Sequence, residues 1–184
     1  MHATLCDMIT DLTQNAMEAR AQTIRLSIRE TNRSIEVTIA DDGKGMTPSV
    51  LQRAKSPFFT DGSKHQKRKF GLGLPFLYQT VEAVDGTVSI VSAPDQGTTV
   101  EFSLPLEAID LPELGNCATA VTALMSGDYT GELILFRTVG TAHYQARRSE
   151  LIDALGDLNH IENLSLLQDF FTSNERALRE TPTR

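Results

Sequence analysis

Residues 35–46 read Ile-Glu-Val-Thr-Ile-Ala-Asp-Asp-Gly-Lys-Gly-Met. Ile35, Val37 and Ile39 alternate with polar or small residues, the period of a strand that buries one face. The strand runs directly into a Gly-rich loop, Asp41 to Met46. Thr47 and Pro48 then read as the cap and first position of a short helix. Upstream, Ile24, Leu26 and Ile28 repeat the alternation, and Thr31-Asn32-Arg33 supplies the turn between the two strands. Before them, Leu5, Met8, Ile9, Leu12, Ala16 and Ala19 form one stripe at helical spacing, predicting a helix over residues 2–20.

Downstream, residues 56–70 show no clean periodicity and contain Pro57, Gly62 and a basic run from Lys64 to Lys69, the composition of a mobile, lid-like loop. Gly71-Leu72-Gly73-Leu74 opens another helix, with Pro75 in its first turn and Gly86 just past its end. Val88 and Ile90, then Val100, Phe102 and Leu104, mark two more strands joined by a turn at Asp95-Gln96-Gly97. Each strand has one apolar face, and helices must cover it. The expected fold is therefore α+β: a two-layer α/β sandwich with a largely antiparallel sheet, closing near Pro105. Residues 107–184 read as a separate, small α/β extension. It has helical signals at 118–125, 151–155 and 164–171 and a strand at 133–136, and it carries no legible motif.

Bulk properties narrow the function. The chain has 184 residues, 40% of them hydrophobic, enough for one domain with a core plus an extension. A net charge of −7 argues against non-specific nucleic-acid binding. No stretch approaches the about 20 apolar residues needed to span a bilayer, and no secretion leader is visible. Cys6 and Cys117 lack metal-ligand spacing and sit in apolar helical segments, so they read as buried free thiols of a cytoplasmic protein.

Four segments carry potential chemistry. On the first helix, at about 100° per residue, Asn15 falls about 40° from Asp11, with Glu18 about 20° and Asp7 about 40° to the other side. A solvated helix face explains such a flank equally well. Its chemical alternative is an amide oxygen completing a Mg²⁺ shell, with a carboxylate one turn away to orient or deprotonate water. In the 41–46 loop, Gly43 and Gly45 allow close backbone approach to a ligand. Asp41 accepts hydrogen bonds but cannot donate, which suits the exocyclic amine of adenine. Glycines at 71 and 73 leading into a helix expose N–H groups to phosphate, with Lys64 to Lys69 as a phosphate-facing lid or a plain solvated loop. The pattern is neither a dinucleotide fingerprint nor a P-loop. Gly97-Thr98-Thr99, entering the last strand, is by itself a turn signal.

Together these segments resemble the GHKL superfamily, which holds gyrase-type topoisomerases, a heat-shock chaperone, histidine kinases and mismatch-repair ATPases. Asp11 to Ala19 resembles its N box, Asp41 to Met46 its G1 box, Ser56-Pro57-Phe58-Phe59-Thr60 the F box of kinase members, Gly71 to Leu74 its G2 box, and Gly97 to Thr99 its final box. The resemblance covers residues 1–106 and implies a Bergerat-type fold. It implies that Asn15 coordinates Mg²⁺ and that Asp41 binds the adenine amine, supported by Thr98 or Thr99. It further implies that Gly43 and Gly45 pass under the base with Met46 packed on it, and that Gly71, Leu72, Gly73 and Leu74 line the phosphates with Lys64 from the lid. Asp11 falls where ATPase members carry a general-base Glu, one methylene longer. The Gly-Leu-Gly-Leu box leans towards the kinases, while Glu18-Ala19-Arg20-Ala21 leans towards the mismatch-repair ATPases.

No His-Glu phosphoacceptor helix stands ahead of Asp11, so the resemblance implies a protein target in trans. Three functions stay open at this point. One is phosphoryl transfer to a separate protein, one an ATPase with a hydrolysis-driven conformational cycle, and one a non-catalytic nucleotide-binding regulator of the anti-sigma kind. A homodimer is compatible with all three.

Overall fold

The computed structural model describes residues 4–55 and 73–180. The first helix, α1 (Leu5–Glu18), starts at Thr4, whose side chain accepts from the Asp7 N–H while the Asp7 carboxylate accepts from the Thr4 N–H. This reciprocal cap satisfies two of the donors that a helix start leaves open. The hairpin β1 (Thr23–Glu30) and β2 (Ser34–Asp41) follows, then α2 (Pro48–Ala54), capped by Thr47 as expected. Next come α3 (Gly73–Ala83), β3 (Thr87–Ser92) and β4 (Thr98–Pro105). Pairing is antiparallel from β1 to β2, β2 to β4 and β4 to β3.

The sheet does not close at Pro105. After α4 (Cys117–Ser126), strand β5 (Glu132–Val139) pairs in parallel with β1, Leu26 beside Leu135, and β6 (Ala142–Arg147) pairs antiparallel with β5. One six-stranded sheet results, in the order β3-β4-β2-β1-β5-β6. The reason lies in residues 133–135, Leu-Ile-Leu, all buried. A continuous apolar run fits an interior strand covered on both sides, and the helical crossover through α4 is the connection that parallel pairing requires. Helices α5 (Arg148–Leu155) and α6 (Ile161–Glu180) complete the fold.

The core lies between the sheet and the helices. Ile24, Leu26 and Ile28 of β1, Ile35, Val37 and Ile39 of β2, and Val100, Phe102 and Leu104 of β4 meet Leu5, Met8, Ile9 and Leu12 of α1 and Leu77 and Val81 of α3. Val121, Leu124 and Met125 of α4 and Leu167 and Phe171 of α6 belong to the same cluster. Helix contacts run α3 to α1, α1 to α4 and α4 to α6, mirroring the strand order beneath. The expected two-layer architecture is therefore present, with residues of 107–184 extending both layers.

One charge sits inside. Arg137 of β5 is 0% exposed, where an aliphatic residue would continue the apolar face. Its Nε donates to Glu175 at 3.1 Å, one terminal nitrogen bonds Glu30, and the other donates to the carbonyls of Ile28 and Thr138. Glu175 also accepts from the Tyr144 hydroxyl at 2.9 Å, and Arg179 adds a second cation to Glu30 at 3.2 Å. A buried guanidinium with so many donors paired is tolerable; unpaired, it would be prohibitive.

Candidate functional site

Strand parity fixes which side chains can meet. Asp41 has the parity of Ile35, Val37 and Ile39, and Thr98 that of Val100, Phe102 and Leu104, so both point to the helix-covered face. They are direct cross-strand partners. Thr99 has the opposite parity and stands with Ala40 on the other face, so the two threonines do not share a site. Burial pushes the Asp41 carboxyl above its ordinary range, while hydrogen bonds from the Gly43 and Thr98 backbone act the other way. The Gly43 N–H donates to Asp41 Oδ1 at 2.8 Å, fixing the carboxylate at the mouth of the loop. Asp42 has a different task. Its Oδ1 accepts from the N–H groups of Gln22 and Thr23 at 2.6 and 2.8 Å, which hold its pKa down and anchor the start of β1.

The 41–46 loop is clamped from two sides. The Lys44 N–H donates to the Ala19 carbonyl at the end of α1, and the Lys44 carbonyl accepts from Asp95. Gly45 has φ 60° against the carbonyl of Ala93, and Gly97 has φ 78° with its Cα against the carbonyl of Asp41. A Cβ at Gly97 would lie 1.9 Å from that oxygen, so this crossing admits only glycine. Ser92, a residue not singled out from the sequence, ties the loop to the last strand. Its Oγ accepts from the Met46 N–H at 2.8 Å, donates to the Gly97 carbonyl at 3.1 Å and lies 2.9 Å from the Thr98 hydroxyl. A single serine at the end of a strand has no sequence signature; only the fold brings positions 46, 92, 97 and 98 together.

On α1, Asp11 and Asn15 are half-buried, whereas Asp7 and Glu18 are exposed. Gly73 of α3 is buried against the first two. A Cβ there would meet Leu12 at 3.3 Å, Asp11 Cβ at 3.4 Å and the Asn15 amide nitrogen at 3.5 Å. The missing side chain thus leaves a cradle beside the Asn15 amide. Leu74 packs partly into the core. Lys64, Gly71, Leu72 and the Ser56–Thr60 segment lie outside the described residues.

Two segments far apart in sequence therefore meet α1 and its C-terminal end, and a third joins them through Asp41. The 41–46 loop rests on Ala19, Gly73 rests on Asp11 and Asn15, and β4 presents Thr98 beside Asp41. Among the described residues, no group of three or more His, Cys, Asp or Glu is placed to hold a metal ion by itself. One amide flanked by carboxylates does fit a hard cation that takes most of its shell from phosphate oxygens and water. No helix among the described residues is long and apolar enough to cross a membrane.

Residues 2–108 match the family model described as histidine kinase-, DNA gyrase B-, and HSP90-like ATPase. Sporulation kinase A of Bacillus subtilis (strain 168) is 32% identical over 103 residues, 55% of this chain and 16% of that protein. Sensor histidine kinase ZraS of Klebsiella oxytoca is 34% identical over 117 residues, 60% of this chain and 24% of that protein. This chain thus spans a quarter or less of these curated relatives. Among solved structures, the catalytic domain of histidine kinase ThkA is 22% identical with a TM-score of 0.38, covering 52% of this chain and 60% of that one.

Proposed function

The chain belongs to the histidine kinase-, DNA gyrase B- and HSP90-like ATPase family, and on that premise we propose that its ATP is held with Mg²⁺ against the second half of α1 and donates its γ-phosphoryl to a separate protein in signalling. The observation that carries the proposal is the seating of Gly73 against Asp11 and Asn15. It supports a phosphate-binding segment lying against the Asn15 amide. Asp41 receives the adenine amine, Gly43 and Gly45 keep the loop low enough to pass beneath the base, and Met46 packs on it. Gly71, Leu72, Gly73 and Leu74 line the phosphates, with Lys64 over them. Thr98 supports Asp41 from the neighbouring strand; its parity favours it over Thr99. Asn15 would hold the Mg²⁺ through its amide oxygen, and the ion would supply positive charge to offset that of the phosphates.

The reading divides the chain into an ATP-binding domain over 1–106 and an extension over 107–184, with a cytoplasmic location and a phosphoacceptor on another protein. Kinase-type relatives favour transfer over hydrolysis. An ATPase remains the second reading because Asp11, half-buried one turn before Asn15, would be the acid that takes a proton from water. The test incubates the whole chain with γ-labelled ATP and Mg²⁺, alone and with an extract of its source cells. Label passing to a protein, with little phosphate released in its absence, is the expected result. Steady phosphate release without an acceptor, abolished in Asp11→Asn, selects the ATPase. Neither outcome would falsify nucleotide binding; absence of both leaves a regulator without turnover and overturns the kinase proposal.

A further inference from the structure

Cys6 and Cys117 take no part in the site described above. Cys6 lies in the first turn of α1, Cys117 opens α4, and their Sγ atoms are 3.3 Å apart across 111 positions of sequence. Both are free thiols and both are buried. Main-chain bonds hold the two helices together at this point. The N–H groups of Leu5 and Cys6 donate to the carbonyls of Glu113 and Leu114 at 2.8 and 2.9 Å, just ahead of α4. The segment leading into α4 thus caps α1, and the spacing of the thiols is set by backbone. A disulfide needs an S–S distance of about 2.05 Å, so the sulfurs, 3.3 Å apart, must close by about 1.25 Å to bond.

The two sulfurs differ in their surroundings. Cys117 lines a cavity of about 340 Å³ with Gly115, Asn116, Ala118, Glu175 and Arg179, and Cys6 does not. Cys6 is held protonated, chiefly by its hydrogen bond to Cys117 and by burial. The same hydrogen bond holds the Cys117 thiol down, and the Arg137 guanidinium acts in the same sense. The thiolate is the nucleophile in sulfur redox chemistry, and Cys117 is the partner that borders the cavity, so peroxide reaches the pair from its side.

We propose that Cys6 and Cys117 are an oxidisable dithiol that hydrogen peroxide closes into a disulfide, stapling the helix that bears Asp11 and Asn15 to α4 of the C-terminal region. The Cys117 thiolate attacks one peroxide oxygen. The O–O bond breaks, the leaving hydroxide takes the thiol proton as water, and Cys117 becomes a sulfenic acid. The Cys6 sulfur, giving up its proton, attacks the Cys117 sulfur. The S–S bond forms, the S–O bond breaks, and a second water leaves. Two thiols and one peroxide thus yield one disulfide and two waters. The inference does not depend on nucleotide binding.

The test treats the reduced full chain, folded and without nucleotide, with a graded excess of hydrogen peroxide. Tryptic peptides are then mapped without reduction. Peptides 1–20 and 70–137 are expected joined, lighter by two hydrogens, with both thiols lost together. The melting temperature should rise by roughly 5–15 °C, and dithiothreitol should reverse both changes. In Cys6→Ser, Cys117 should stop at a sulfenic acid that dimedone traps, or go on to the sulfinic acid. In Cys117→Ser, Cys6 should stay reduced under the same exposure. The proposal is overturned if the wild-type thiols gain oxygen without linkage, if they survive peroxide that oxidises free cysteine, or if the two variants react alike.

Discussion

Replacing Ser92 by Ala deletes one oxygen and three hydrogen bonds. The Thr98 hydroxyl can turn to another acceptor, so its loss is largely recovered. The Gly97 carbonyl loses a donor, a net change of about 0.5–1.5 kcal/mol. The Met46 N–H keeps its half-buried place and loses its acceptor, which costs about 1–3 kcal/mol, here towards the lower end. The sum is about 2 kcal/mol, or roughly 4–8 °C in melting temperature for a chain of this size. The loop carrying Gly43, Gly45 and Met46 also loses its tie to β4, so ATP must order it on binding. Affinity should fall by about 3- to 10-fold. Thermal melts and ATP titrations of Ser92→Ala measure both quantities. Ser149→Ala, which removes the exposed hydroxyl bond to Glu132 and keeps the backbone one, is the control and should stay within about 0.5 kcal/mol. A Ser92→Ala protein that melts within about 1 °C of wild type and binds ATP normally would refute the role assigned to this hydroxyl.

Asp41→Asn should weaken ATP binding by roughly 5- to 150-fold, the cost of one buried hydrogen bond to the base, yet leave the nucleotide-free protein at least as stable at pH 7. The sign follows from its pKa, raised in the folded state from 3.8. The native state binds the proton more tightly, so stability declines as pH rises from 3.8 through the raised value, and a neutral isostere escapes that decline. Melts at pH 7 and pH 3 check it; a marked loss at pH 7 contradicts it. Asn15→Ala should make ATP affinity equal with Mg²⁺ and with EDTA, measured by titration calorimetry; a retained Mg²⁺ dependence removes the assigned ligand. Arg137→Met leaves the Glu175 carboxylate only the Tyr144 hydroxyl and leaves Glu30 only Arg179. It should cost about 3 kcal/mol, read from the guanidinium midpoint and partly restored by adding Glu175→Gln.

Much of this site was legible in the sequence because strands and helices print their periods. Alternation at 35, 37 and 39 carried on to 41 puts Asp41 on the covered face, and alternation at 100, 102 and 104 carried back separates Thr98 from Thr99, but the choice between them waited on the β2–β4 register that sets Thr98 beside Asp41. Asp11 and Asn15 fall on one helix flank by the same arithmetic. What escaped was non-local. The Leu-Ile-Leu of β5 gives no hint that it pairs in parallel with β1, and β6, Ala-His-Tyr-Gln-Ala-Arg, is an edge strand whose alternation of Ala142, Tyr144 and Ala146 with polar residues rests on small alanines and so gives a weak signal. Arg137 reads as a surface residue until Glu30 and Glu175 surround it. The same holds for Ser92, whose partners span positions 46 to 98, and for two cysteines separated by most of the chain.

The central claim is that nucleotide binds against α1, the 41–46 loop and α3, and thermal melting of the full chain with and without ATP and Mg²⁺ tests it most directly. At ligand about 100-fold above its Kd, stability should rise by about 2.7 kcal/mol, a shift of roughly 5–11 °C that is lost in Asp41→Ala. No shift with millimolar ATP or ADP in the wild-type protein would contradict the account.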